Sequence, residues 1–185
     1  MKWMIASDIH GSAEHCKKLM EAYDREGAEK LILLGDILYH GPRNHLPDGY
    51  EPKQVIEMLN ARKEEILCVR GNCDAEVDQM VLEFPIMADY ALLTAGEWVI
   101  FATHGHLYNS GHLPPLHHVN VLLHGHTHVP ACRKFEDHVY LNPGSVSIPK
   151  EGSQHSYMTF DATKFEWKNL EGEVYHSFSR PQKEK

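Results

Sequence analysis

Residues 121–130, which read V-L-L-H-G-H-T-H-V-P, constrain this chain most, because an apolar run ends abruptly in three histidines. The apolar part is typical of a buried strand that stops at Gly125. A buried imidazole needs a partner, and neutral imidazole is the commonest metal ligand among side chains. Gly125 would let the backbone turn sharply, so that His126 and His128 point at one centre. Taken alone, the stretch fits a histidine-rich surface turn equally well.

The composition is that of an ordinary globular protein, with 185 residues, 42% of them hydrophobic and 24% charged. This length predicts a single domain over residues 1–185 with a substantial core. The formal net charge is −8, and the sequence contains no cluster of lysine and arginine residues. We therefore expect no binding along a long nucleic acid.

Cysteine usage and the first residues indicate a reducing compartment. The four cysteines form no C-x-x-C pair, which argues against a disulfide framework and against a zinc ribbon. The residues before Asp8 are too few for a signal peptide, and no apolar run is long enough to span a membrane. We expect a cytoplasmic protein with no membrane partner. Self-association is compatible with the sequence, which shows no interface for it.

Three apolar runs in the first half, residues 2–7, 30–34 and 66–69, are each followed by a helical pattern. The second and third runs are continuous rather than alternating, which indicates strands buried on both faces of a parallel sheet. Three strand-then-helix units predict a right-handed, mostly parallel sheet. In such a sheet, ligands bind beyond the carboxyl ends of the strands.

The predicted helices have recognisable ends. Ser12 is typical of an N-cap and Gly27 of a helix end, and Pro52 is typical of the first position of the second helix. Asp74 would cap a third helix that continues through Phe84. One side of this third helix would carry Val77, Met80, Val81 and Phe84.

The second half is rich in short strands joined by turns. The predicted strands are residues 90–94, 98–103, 119–123, 139–141, 157–161, 165–170 and 174–178. The short connections leave little room for helices and predict a largely antiparallel second sheet. The predicted fold class is α/β, a four-layer α-β-β-α sandwich in which two mixed sheets pack face to face between flanking helices.

Polar side chains that can bind a metal follow these buried strands directly. The candidate metal ligands are Asp8, His10, Asp36, Asn72, His104, His126 and His128. This oxygen and nitrogen set without a thiolate suits Mn²⁺, Fe, Ni²⁺, Co²⁺ or Zn²⁺. Seven ligands are too many for one ion and sufficient for two, provided that Asp36 bridges them.

Two such cations, roughly 3.5–4 Å apart, would bind and acidify a shared water. The resulting hydroxide could attack a phosphorus atom in line.

Each motif alone is more often a turn or a helix cap, and this holds for Asp8, Asp36 and Asn72 taken singly. The recurrence of compatible ligands after five buried strands favours the metal site.

The motifs resemble the five-motif signature of the calcineurin-like metallophosphoesterases. They are D-x-H at 8–10, G-D at 35–36, G-N-x-D at 71–74, T-H-G-H at 103–106 and G-H-T-H at 125–128. The match runs in the family's order from Asp8 to Ser145. The flanking segments, among them L-G-D-I-L-Y-H-G-P-R-N and L-N-P-G-S-V-S-I-P, are similar to those of small bacterial phosphodiesterases of the YfcE type.

This resemblance implies the metallophosphoesterase fold and a dinuclear centre, most often with manganese, although nickel, iron, cobalt and zinc remain alternatives. It also implies how the ligands divide between the two divalent ions. One ion would take Asp8, His10, Asp36 and His128, and the other would take Asp36, Asn72, His104 and His126.

The chain departs from the family at Cys73, where many members have a histidine that stabilises the transition state or protonates the leaving oxygen. Cys73 is either a small residue in the pocket or a sign that the proton comes from elsewhere, with His106 as the candidate. A weak proton donor would favour substrates with good leaving groups. The candidate catalytic residues are Asp36, Asn72, Cys73 and His106.

Arg43 and Asn44, in the loop after Asp36, are candidate contacts to a substrate phosphate, although a surface arginine is the commoner case. The sequence predicts a divalent-metal-dependent phosphodiesterase that acts on a small phosphodiester. One alternative is a phosphomonoesterase or nuclease on the same centre. Another is a protein-interaction scaffold, which relatives of this fold become after losing metal ligands.

Overall fold

The computed structural model describes residues 1–114 and 118–180. Within these ranges the chain forms eleven strands, three α-helices and one short 3₁₀ turn at Lys63–Glu65. In chain order they are β1 (Trp3–Ala6), α1 (Ala13–Glu26), β2 (Lys30–Leu33), α2 (Pro52–Asn60), β3 (Ile66–Cys68), α3 (Glu76–Gln79), β4 (Tyr90–Ala95), β5 (Trp98–Thr103), β6 (Val121–Leu123), β7 (Ala131–Lys134), β8 (Val139–Asn142), β9 (Ser156–Phe160), β10 (Lys164–Asn169) and β11 (Val174–Ser179).

The strands form two mixed sheets, as predicted. One sheet has the order β11-β10-β9-β1-β2-β3, and the other has the order β4-β5-β6-β8-β7. The pairs β1-β2 and β2-β3 are parallel, which confirms the parallel sheet expected from the first half of the chain.

The expectation that the second half forms a largely antiparallel sheet of its own is wrong. Strands β9, β10 and β11 join the first sheet through an antiparallel pair in which Ile5 faces Met158. In the second sheet, β5-β6 and β6-β8 are parallel. The physical reason is that β9 is buried along its whole length, so it needs the centre of a sheet rather than an edge.

The core has one layer between the sheets and another under the helices. Aromatic side chains such as Trp98, Phe160 and Trp167 fill the space between the sheets. On the outer face of the first sheet, α1 and α2 bury residues such as Leu19 and Leu59. On the outer face of the second sheet, the buried residues Phe101, Leu122 and Tyr140 are partly covered by Tyr108, Val119 and Ala131.

The ends of the first two helices agree with the prediction, whereas the third helix does not. Ser12 caps α1 through its Oγ, Gly27 ends it with φ of 59°, and Pro52 begins α2. The predicted third helix from Asp74 through Phe84 is wrong, since α3 has only four residues and Ala75 occupies its N-cap. Of the side chains predicted to share one face of it, Val77, Met80 and Val81 are exposed, at 66%, 83% and 45%, whereas Phe84 is buried.

All four cysteines are free thiols, which confirms the prediction that the chain has no disulfide framework. Among the described residues, the helices are too short and too polar to cross a membrane.

Candidate metal centre

The seven predicted ligands lie just beyond the carboxyl ends of five strands, three in the six-stranded sheet and two in the five-stranded sheet. Because the two sheets are stacked with these ends on the same side, the side chains converge. Asp8 and His10 follow β1, Asp36 follows β2, Asn72 follows β3, His104 follows β5, and His126 and His128 follow β6.

One group of ligand atoms surrounds a carboxylate oxygen of Asp8. The Nε2 atoms of His10 and His128 lie 3.6 and 3.4 Å from Asp8 Oδ1. The same two nitrogens are 3.3 Å apart. All three side chains are buried, and their ligand atoms lie within 4.8 Å of one another, so they could hold one metal ion.

A second group surrounds His104. Its Nε2 lies 3.4 Å from Asp36 Oδ2 and 3.2 Å from Asn72 Oδ1. His126 Nδ1 lies 3.1 Å from the same nitrogen. Asp36 Oδ2 is also 3.7 Å from His10 Nε2, so this carboxylate lies between the two groups.

Backbone carbonyls set the orientation of three imidazole rings. The Nδ1–H of His10 donates to the carbonyl of Tyr39 at 2.7 Å. In the same way, His104 donates to Leu34 at 2.6 Å and His128 donates at 2.6 Å to the carbonyl of residue 148. Each neutral ring therefore presents the lone pair of Nε2 to the centre, which is the tautomer that a metal ligand needs.

This arrangement fits a divalent cation. Neutral rings of His10 and His128 would aim two lone pairs at each other across 3.3 Å, which is unfavourable unless a proton or a cation lies between them. Asp8 Oδ1 is buried and has no hydrogen-bond partner among the described residues. A buried carboxylate oxygen without a partner is costly, and a metal ion would satisfy it.

The charges of the cluster are strongly coupled. Burial alone raises the pKa of Asp8, but the imidazoles around it, His10 foremost, lower that pKa well below its ordinary value. Burial alone lowers the pKa of His104, but the hydrogen bond and charge of Asp36 raise it to about 9. Burial lowers the pKa of His126 to about 4, and His104 contributes to this shift. Without a metal, the proton on His104 therefore offsets part of the carboxylate charge.

Five of the ligands have a backbone conformation that residues other than glycine rarely adopt. Positive φ angles between 49° and 67° occur at Asp8, His10, Asp36, His126 and His128. Such conformations cost free energy and persist where the surrounding structure imposes them, often at functional sites.

Two glycines permit the close approach of neighbouring loops. A Cβ on Gly71 would lie 2.1 Å from Asp36 Oδ1. A Cβ on Gly125 would lie 1.9 Å from Ser7 Oγ and 2.8 Å from Asp8 Oδ2. The chain does turn after Gly125, where the N–H of Thr127 donates to the Gly125 carbonyl at 2.8 Å, and the left-handed residues of this turn are His126 and His128.

Asp74 ties two of the ligand loops together instead of capping a helix. Its Oδ2 accepts hydrogen bonds from the backbone N–H groups of Asp36 at 2.9 Å and Gly71 at 2.7 Å. Its Oδ1 accepts from Ile37 at 2.8 Å. The carboxylate thus fixes the loop that carries Asp36 against the loop that carries Asn72.

Two further polar residues support the loops from the other sheet. The buried amide of Asn142 donates to the carbonyl of Gly125 at 2.8 Å and to Thr127 Oγ1 at 3.0 Å. Ser145 Oγ donates to the backbone carbonyl of Asp8 at 2.9 Å. These residues hold the ligand loops and do not face the cluster with a free ligand atom.

A cleft of about 720 Å³ opens over the cluster. Arg43 and Asn44 line it, together with a second cationic side chain, Lys150, which the sequence did not single out. Asn44 donates through Nδ2 to the carbonyl of His40 at 2.8 Å, so its amide also holds its own loop. The only sequence signal for Lys150 is its position directly after the S-V-S-I-P segment.

The two candidate proton donors occupy different places. Cys73 lines the cleft, and its backbone N–H donates to Asp36 Oδ1 at 2.8 Å. Burial, with help from Asp36, raises the pKa of the Cys73 thiol to about 12. His106 lies with its ring centre 5.5 Å from that of His104, and it lines an adjoining cavity of about 410 Å³.

Comparison with known proteins places this site in a family. The sequence model of the calcineurin-like phosphoesterase superfamily domain matches residues 1–164. The chain belongs to this superfamily. Among calcineurin-like phosphoesterases, it is 48% identical over 161 residues to Phosphodiesterase YfcE of Escherichia coli (strain K12), covering 87% of this chain and 88% of that protein.

Solved structures superimpose on this fold. The structure of YfcE, a phosphoesterase from E. coli, matches with a TM-score of 0.93 and 43% identity over 97% of this chain and 99% of that one. Vacuolar Protein Sorting 29 from Cryptosporidium parvum matches with a TM-score of 0.65 and 18% identity over 97% and 98% of the two chains. The latter likeness concerns the fold alone. The superfamily's metal dependence agrees with the candidate ligand groups found here.

Proposed function

We propose that this protein is a divalent-metal-dependent phosphodiesterase that hydrolyses a small phosphodiester with two metal ions, and that these ions are manganese. The observation that carries the proposal is the pair of ligand groups that share Asp36 at the floor of the cleft. The 48% identity to a protein named as a phosphodiesterase supports the reaction class.

The proposal divides the ligands into two sets around Asp36. One metal ion would be held by Asp8, His10, Asp36 and His128, and the other by Asp36, Asn72, His104 and His126. When bound, two divalent ions lower the pKa of a water between them and draw charge from the phosphate oxygens. The protein's own contribution is to orient the imidazoles and to hold the proton of each on Nδ1, through hydrogen bonds to backbone carbonyls.

Arg43 and Lys150 are assigned to substrate binding. Both line the cleft, and a phosphodiester carries a negative charge that the buried carboxylates of the cluster would repel. A cationic side chain offsets this repulsion, and the planar guanidinium of Arg43 can donate two hydrogen bonds to a phosphate. We assign Asn44 to positioning this loop as well as to lining the cleft, because of its bond to His40.

The proposal gives Cys73 no role in proton transfer. A thiol whose pKa is raised to about 12 releases its proton much less readily than a protonated imidazole does. We therefore expect a preference for diesters with good leaving groups, and we assign proton donation, where it is needed, to His106. Cys73→Ser should keep most of the activity on nitrophenyl esters, and Cys73→His should raise activity on esters of poorer leaving groups.

Hydrolysis assays on metal-stripped protein test the proposed function. Each divalent ion is added back in turn, and release of nitrophenolate is measured from bis(4-nitrophenyl) phosphate and from the monoester 4-nitrophenyl phosphate. We expect manganese to restore cleavage of the diester, and Asp36→Asn to abolish it. Glu136→Gln, a substitution on the surface away from the cluster, is the matched control.

The same assay covers the alternatives. A monoesterase needs positive groups for a second phosphate charge, and Lys150 beside Arg43 in the cleft is the observation that favours it. Faster cleavage of the monoester than of the diester would make this the better assignment. Stoichiometric metal binding without turnover of either ester would contradict the proposed function and favour a scaffold.

A further inference from the structure

Two of the apolar side chains that the sequence assigns to one side of a third helix line an exposed groove instead. Val77 and Val81 form one wall of it, and Tyr39, Tyr50 and Ile56 contribute to the rest of the lining. The groove has a volume of about 450 Å³. Because exposed apolar groups are costly when they are contiguous, a lining of this kind indicates a binding surface.

The groove is continuous with the cleft over the metal centre. Tyr39, Cys73 and Ala75 line both cavities. The backbone N–H of Cys73 donates to the carboxylate of Asp36, which lies between the two ligand groups. A group that occupies the groove can therefore belong to the same molecule as a phosphate bound in the cleft.

The chemistry of the walls favours an uncharged, flat occupant. The acidic side chain on the lining, Asp78, already accepts a hydrogen bond from the backbone N–H of Ala75 at 2.9 Å, and its charge would repel an anion. Two tyrosine side chains, Tyr39 and Tyr50, lie on the lining and can contact an aromatic group. The cationic groups Arg43 and Lys150 lie on the lining of the cleft and not on that of the groove.

We propose that this groove is the subsite for one alcohol substituent of the phosphodiester, and that the substituent is uncharged and aromatic. The proposal rests on the proposed function for the identity of the reacting group, and it names the substrate class that the same site accepts. The other substituent of the phosphorus would then lie in the polar cleft beside Arg43 and Lys150.

Binding of two phosphonates to the manganese-loaded protein tests this subsite without requiring turnover. Phenylphosphonate and methylphosphonate present the same anion to the metal centre and differ in the group attached to phosphorus. We expect phenylphosphonate to bind about tenfold more tightly, because the ring is removed from water in the groove. Titration calorimetry measures both dissociation constants.

A double variant, Val77→Asn with Val81→Asn, removes the apolar wall at two exposed positions and should fold normally. We expect the preference for phenylphosphonate to fall about fivefold, with methylphosphonate binding unchanged. Val174→Asn is the matched control, since Val174 is 51% exposed and lies on β11, at the opposite edge of the six-stranded sheet from β3. This variant should keep the preference of the wild type.

The outcomes separate this proposal from the proposed function. Equal binding of the two phosphonates to the wild type, or an unchanged preference in the double variant, would overturn the subsite even if the diester is cleaved. A groove-dependent preference without hydrolysis of any ester would support the subsite and contradict the phosphodiesterase assignment. A change in association state in the double variant, measured by size-exclusion chromatography without a change in preference, would show that a second copy of the chain covers the groove.

Discussion

The substitution Asp74→Asn tests whether one buried carboxylate holds the metal centre together. Asp74 is 7% exposed and accepts three backbone hydrogen bonds, from Asp36, Ile37 and Gly71. Asparagine has nearly the same shape but replaces one acceptor oxygen with an NH₂ group. Since all three neighbours are donors, the new NH₂ group must face at least one of them.

The expected cost follows from these contacts. The amide oxygen can take the place of Oδ2 and keep the bonds from Asp36 and Gly71, which leaves the N–H of Ile37 buried and unpaired. An unpaired buried donor costs about 1–3 kcal/mol, and the two remaining bonds lose the strength that the charge gave them. We expect the free energy of unfolding to fall by about 3 kcal/mol. For a chain of this length, this corresponds to a decrease in Tm of about 6–12 °C.

Thermal and urea unfolding of the metal-free protein, with a chelator present, measure this loss. Asp24→Asn is the matched control, because Asp24 is exposed and pairs with Arg62 on the surface, where such pairs contribute about 0–1 kcal/mol. Metal titration should also show at least about tenfold weaker binding in Asp74→Asn, because this carboxylate positions a ligand loop. If Asp74→Asn unfolds as the control does and binds metal normally, the structural role assigned to this carboxylate is wrong.

Three further predictions follow from other contacts. Because the pKa of His104 is raised to about 9 in the metal-free protein, metal binding at pH 7 should release a proton and should tighten as the pH rises towards 9. Calorimetry in buffers of different ionisation enthalpy measures the number of protons released. Metal binding without proton release would contradict the assignment of His104 as a ligand. Burial raises the pKa of Glu26, but hydrogen bonds from two lysines and a tyrosine lower it to about 2. The stability lost in Glu26→Gln, about 1–2 kcal/mol after allowance for screening by solvent, should therefore be present above pH 4.5 and disappear as the pH falls through 2; a difference from wild type that does not depend on pH would refute this. Gly71→Ala should displace Asp36 and lower diesterase activity at least about tenfold. Gly111→Ala should not, because its added Cβ would only make ordinary contact with Asn109 Oδ1 at 3.4 Å; equal activities of the two variants would refute the displacement.

Local features of the fold were readable from the sequence. Strand β5, predicted at residues 98–103, has those bounds in the structure, and the ends of α1 agree with the capping signals at Ser12 and Gly27. These elements depend on periodicity and on side chains that bond to the nearby backbone, so their determinants lie within a few residues of each other.

The helix predicted after Asp74 shows where local reasoning fails. A carboxylate before an apolar stretch is typical of an N-cap, but here the side chain accepts bonds from backbone groups of another loop, about 37 residues away at Ile37. The stretch then lacks its cap, and Val77, Met80 and Val81 remain exposed beside the groove. A distant competitor for one side chain cannot be recognised from sequence spacing.

The sequence by itself determined the chemical types available to the site and their position after buried strands, because donor identity and hydrophobic periodicity are properties of single residues and short windows. The tertiary structure decided which sheet β9, β10 and β11 join, which nitrogen of each histidine faces the centre, and how close the carboxylate of Asp36 lies to both ligand groups. The physical reason is that backbone N–H and C=O groups are chemically the same at almost every residue, so they do not by themselves specify which strand or imidazole they will bond. Strand partners and imidazole orientation are therefore chosen by packing between residues that are far apart in sequence.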